Sequence, residues 1–156
     1  MGRDKRNENR IEHFASLSRS LMETDAWRAL PSASQALYPW LKLEWRGAKF
    51  NNNGKISLSV RQAADCLGCN VKTATSAFRP LQAKGFIVQT KGVELGTVGS
   101  GQSPCYELTE IELPNSATRG GSRLYLKWRD GNDFPVILAK VNNPEGRNSK
   151  IKTPAQ

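Results

Sequence analysis

The chain has 156 residues, 23 Lys and Arg against 14 Asp and Glu, a formal net charge of +9, and three cysteines. That length suits one domain with tails, and no stretch approaches the ~18 unbroken apolar residues that cross a bilayer. The excess of positive charge favours a polyanionic partner.

Residues 1–24 read as an N-terminal arm and amphipathic helix. The arm opens MGRDKRNENR, which leads into no apolar signal-peptide core and so predicts cytoplasmic residence. Ile11, Phe14, Leu17 or Ser18, and Leu21 recur at three- to four-residue intervals, the spacing of a helix over Ile11 to Met22. Ser32 to Arg46 is a second helical pattern with Leu37, Trp40, Leu41 and Trp45 as its buried face, and Pro39 is expected to kink or split it. Asn51-Asn52-Asn53-Gly54 marks a turn, and Ile56-Ser57-Leu58 is long enough for one short strand.

Ser59 to Phe86 then reads as two short helices joined by a tight turn. Ser59 and Gln62 have the spacing of a capping box, Val60, Ala63, Ala64 and Leu67 share one face, and Gly68 offers the positive φ that ends a helix. Asn70 is a favoured N-cap, Ala74, Ala77, Phe78 and Leu81 form the next apolar stripe, and Gly85 is a second stop, so a helix is predicted from Val71 to Lys84. Pro80 withholds the amide that would bond the Ser76 carbonyl, which predicts a bend between Ser76 and Arg79. The outward residues Lys72, Thr73, Thr75, Ser76 and Arg79 are donors and short hydroxyls with no carboxylate among them, a surface suited to a polyanion.

Charge placement agrees. Lys42, Arg46, Lys49, Lys55, Arg61, Lys72, Arg79, Lys84 and Lys91 face only Glu44 and Asp65 across residues 40–91, whereas Gly92 to Ala117 holds Glu94, Glu107, Glu110 and Glu112 and no cation. Phe86 to Thr90 and Cys105 to Leu108 read as the strands of a hairpin around a glycine-rich tip. Gly96, Gly99 and Gly101 lack the Gly-Lys-Ser/Thr of a phosphate loop, and the tip offers a single cation, Lys91, at its base.

Cys66-x-x-Cys69 has only Cys105 and His13 as further soft ligands, and these are single and distant, so free thiols and no metal are expected. There is no HExxH or GxSxG motif and no paired acids in a helical setting, so no catalysis and no cofactor are expected. Arg123 to Arg129 mixes aromatics with cations and is read as a terminal element that packs Leu124, Leu126 and Trp128. Residues 114–141 would form a C-terminal extension and residues 142–156 a flexible basic tail.

Met22, the run Ala26-Trp27-Arg28-Ala29-Leu30, Ala36-Leu37-Tyr38, the stretch Asn52 to Cys69 and the ending Lys84 to Ile87 together resemble small bacterial winged helix-turn-helix proteins. Many of these look like regulators or replication-initiator relatives of phages, plasmids and integrated elements. The resemblance spans roughly Leu21 to Arg129 and implies an α+β, mainly α fold, with the winged domain over residues 25–113, and duplex DNA binding.

Transcriptional regulation through sequence-specific binding of double-stranded DNA is the expected function, on the nucleoid and away from membrane. Lys72, Thr73, Thr75, Ser76 and Arg79 are the candidates for base edges, and Arg61, Gln62, Asn70 and Lys91 for phosphates. A homodimer would let two such helices read two half-sites, with the N-terminal helix as its interface. The rival readings are a replication or recombination accessory protein that binds DNA, and a winged domain used for protein contacts.

Overall fold

A computed structural model describes residues 13–92, 94–95 and 101–137. The start of the expected Ile11 to Met22 helix, most of the glycine-rich tip and the basic tail lie outside the described residues.

The described chain is α+β and mainly helical. Two four-residue helices, α1 (Arg19–Met22) and α2 (Asp25–Arg28), precede α3 (Ser32–Leu43). Strand β1 (Ile56–Ser57), helices α4 (Val60–Leu67) and α5 (Val71–Ala83), and strands β2 (Ile87–Lys91), β3 (Glu94–Leu95), β4 (Gly101–Gln102) and β5 (Cys105–Leu108) follow, and a 3-10 turn covers Leu124–Leu126.

The expected long N-terminal helix is not what forms. Residues 13–18 are irregular, and the helical turns begin where Ser18 Oγ caps the Leu21 amide at 3.2 Å. Thr24 closes the first turn by donating to the Leu21 carbonyl at 2.7 Å and opens the second by accepting from the Trp27 amide at 3.2 Å. Hydroxyls that bond the local backbone break a helix into capped pieces, and this overrides the apolar spacing. Leu21 is buried while Phe14 is exposed.

Helix α3 runs through Pro39 without splitting. Its phase differs from expectation: Leu37, Tyr38 and Leu41 are fully buried, whereas Trp40 is exposed and Trp45 sits beyond the helix end, half-buried. Helix α5 likewise continues through Pro80 to Ala83.

β1, β5 and β2 form a three-stranded antiparallel sheet with β5 central. Ile56 pairs with Tyr106 and Ile87 with Leu108, and one residue is bulged between Gln89 and Lys91. β3 and β4 add a separate two-stranded rung, Glu94 opposite Gln102, inside the stretch read as a plain tip. β1 is short because a side chain continues its work: buried Asn53 accepts from the Leu108 amide at 2.7 Å and donates to the carbonyls of Leu108 at 3.0 Å and Ile111 at 2.8 Å. The sheet edge is thereby satisfied without another strand residue.

One apolar core joins the helices, the three-stranded sheet and the C-terminal 3-10 turn. Trp27, Tyr38 and Phe86 meet edge to face with ring centroids 5.6–5.7 Å apart. Tyr125, from the C-terminal extension, stacks on Phe86 at 4.9 Å, and Trp128 is buried beside it. Leu126, expected to pack, is exposed instead, because the turn repeats every three residues and turns Tyr125 and Trp128 inward.

Candidate nucleic-acid interface

The α4–turn–α5 unit follows from local rules that the chain satisfies one by one. Ser59 Oγ accepts from the Gln62 amide and Gln62 Oε1 from the Ser59 amide, both at 3.1 Å, which completes the capping box. Gly68 adopts φ +64, with its own amide bonded to the Asp65 carbonyl and the Cys69 amide to Ala64, so α4 stops in a Schellman turn. Asn70 Oδ1 then accepts from the Thr73 amide at 2.8 Å and starts α5 at once. Gly85, at φ +80, ends α5 in the same motif, with Phe86 N bonded to the Leu81 carbonyl.

Small residues bring the helices together. Ala63 and Ala64 of α4 and Ala74 and Ala77 of α5 are buried, and Ser34 of α3 donates to the Ala77 carbonyl at 2.8 Å. With that face spent, Lys72, Thr73, Thr75, Ser76 and Arg79 are all exposed. At about 100° per residue, Lys72, Ser76 and Arg79 fall within about 60° of one another, with Thr75 on one flank and Thr73 on the other. Thr73 turns toward α3, where Pro31, Ala33 and Ser34 join Lys72, Ser76 and Ala77 around a shallow cleft of about 280 Å³. The Thr75 hydroxyl donates back to the Val71 carbonyl at 2.8 Å, so its proton is already used.

The phosphate candidates fall in two places. Arg61 and Gln62 lie exposed on the first turn of α4, and Asn70 is exposed at the start of α5. Gln62 and Asn70 both spend their carbonyl oxygen on capping, which leaves their amide NH2 groups as the donors for a phosphate. Lys91 is apart from these, exposed at the end of β2 and opposite Cys105.

Two cations counted toward this surface from sequence are engaged within the fold, one buried and one half-buried. Lys42 is buried, paired with Glu110 at 2.8 Å, and Lys84 lies 4.4 Å over the Trp128 ring and 3.7 Å from Asp133. The spacing of Lys42 four residues after Tyr38, on the apolar face of α3, is the one sequence signal that marks it. The same pairing removes Glu110 from the acidic hairpin as a repelling charge, and burial raises the Glu107 carboxyl. The side chain of Glu94 lies outside the described residues.

Cys66, Cys69 and Cys105 are half-buried and unbonded, and His13 pairs through Nε2 with the Leu43 carbonyl at 2.6 Å. Among the described residues no three His, Cys, Asp or Glu side chains cluster as metal ligands, and no helix is long and apolar enough to cross a membrane. No family model, no curated protein and no solved structure matches the chain.

Proposed function

We propose that this chain is a winged helix-turn-helix protein that binds double-stranded DNA sequence-specifically and acts as a transcriptional regulator. The observation that carries the reading is the outward face of α5, which presents Lys72, Ser76 and Arg79 together and no acid. Lys and Arg reach guanine acceptors in the major groove, and Ser serves either base or phosphate. The order α3, β1, α4, α5 and the β2–β5 ladder supports a winged arrangement, with Arg61, Gln62 and Asn70 at the starts of α4 and α5 and Lys91 at the end of β2 holding phosphates. Thr73 and Thr75 are flanking contacts, Thr75 through its methyl group because its hydroxyl proton is spent on Val71.

Selection of bound sequences from random duplexes, followed by footprinting, tests this. An enriched motif protected by the protein is the expected result, and a palindromic motif would identify a homodimer. No enrichment, and no shift of any duplex at low salt, would assign the domain to protein contacts.

A further inference from the structure

The C-terminal extension hides its aromatic rings and displays its cations. No Asp or Glu occurs from Leu113 to Arg129, while Arg119, Arg123, Lys127 and Arg129 do. Tyr125 and Trp128 are in the core and cannot stack on bases. Arg129 is tied down, its Nη1 donating to the carbonyls of Leu126 at 3.1 Å and Trp128 at 2.8 Å. Arg119, Arg123 and Lys127 are exposed and form no ion pair among the described residues.

The backbone that carries these groups is held firmly. Gly121 lies so close to the backbone of Thr109, Glu110 and Ile111 that a Cβ has no room. The Arg123 amide donates to the Thr109 carbonyl at 2.7 Å with Arg123 at φ +48, and Leu124 and Phe134 close on Gly85 at the end of α5. Asp133, paired with Lys84, and Val136 of the extension share a groove of about 450 Å³ with Arg79, Pro80 and Ala83 of α5, so the extension packs along the C-terminal half of that helix.

We infer that Arg119, Arg123 and Lys127 form a second, sequence-independent grip on the phosphodiester backbone of duplex DNA, beside the bases that α5 reads. Two guanidinium groups and an ammonium that form no ion pair among the described residues suit phosphate oxygens, and such contacts add affinity without adding sequence information. This rests on the DNA-binding reading proposed above.

The test is the full chain carrying Arg119→Gln, Arg123→Gln and Lys127→Gln, with an unchanged melting temperature as the folding control. Binding is measured against salt on a long duplex bearing the selected site, a long random duplex and a duplex trimmed to the site, beside Lys72→Ala. Both long duplexes should weaken about tenfold or more, with the salt slope reduced by about 0.9 for each phosphate that is no longer neutralised, the preference retained and the trimmed duplex little affected. Equal weakening on the trimmed duplex would overturn the flanking position. Unchanged affinity and slope, while Lys72→Ala still lowers the preference, would overturn the second grip and leave the reader standing. Loss of binding to a polyglutamate peptide alone would assign the patch to an acidic protein instead. A parent chain that binds no duplex would overturn both readings.

Discussion

Lys42 and Glu110 stand 68 residues apart in the chain and 2.8 Å apart in space, with 7% and 19% of their side chains exposed. The same carboxylate oxygen accepts from the Tyr38 hydroxyl at 2.9 Å, and the ammonium also donates to the Ser16 carbonyl at 2.5 Å. One ion pair therefore ties the N-terminal segment, α3 and the end of β5. Removing one partner strands the other charge in the interior, so Glu110→Gln should lose about 3 kcal/mol in urea unfolding. Lys42→Met with Glu110→Leu should lose less than either change alone. Additive losses would show that the charges do not depend on each other.

At α5, Lys72→Ala should cost about 1–3 kcal/mol on the selected site and far less on random DNA. Thr75→Val should cost about 0.5 kcal/mol or less, since the hydroxyl it removes already serves the Val71 carbonyl. Titration of labelled duplexes reads both, and a larger effect for Thr75→Val would put the reading face on the wrong flank.

Gly85→Ala should be costly. Its φ of +80 disfavours any side chain, and a Cβ there would stand 2.7 Å from Phe134 Cε2 and 2.9 Å from Leu124. Strain and overpacking together predict a loss of about 2–3 kcal/mol in thermal unfolding. A variant as stable as the parent would mean that the extension does not hold this position in solution.

Alkaline pH should unfold the protein through its tyrosines. Burial, with the nearby Cys105 charge, pushes the Tyr106 phenol up to about 12, and burial likewise raises Tyr38 and Tyr125. The folded chain keeps a proton that the unfolded chain releases near 10, so stability is full below about pH 10 and falls as pH rises through about 12. Tyr106→Phe should make that fall shallower. A phenol titration identical in folded and urea-unfolded protein would contradict it.

The α4–turn–α5 unit was legible in the sequence because each of its signals is local: a hydroxyl three residues from a glutamine, a glycine at each helix end, an asparagine at a start. The outward set on α5 followed by subtraction from the apolar stripe. What distance in the chain decides was not legible. Nothing near Lys42 in sequence announces Glu110, so a buried cation counted as a surface one. The phase of α3 depends on Trp27 and Phe86 meeting Tyr38, which left Trp40 facing outward where local pattern placed it inside. At the N-terminus the local signals competed, and the hydroxyls of Ser18 and Thr24 outweighed the apolar spacing.

The stacking of Tyr125 on Phe86 decides where the protein can be cut. A fragment ending at Leu113 would sever Tyr125 and Trp128 from the core, strip Lys84 of its ring and its carboxylate, and leave the Ala83 carbonyl without the Phe134 amide that meets it at 2.7 Å. The Ile137 amide also donates to the Oε1 of buried Gln82 at 3.2 Å, so the shortest portable version of the α4–α5 unit ends after Ile137, and a tag or fusion partner joined any earlier would be attached to a damaged protein.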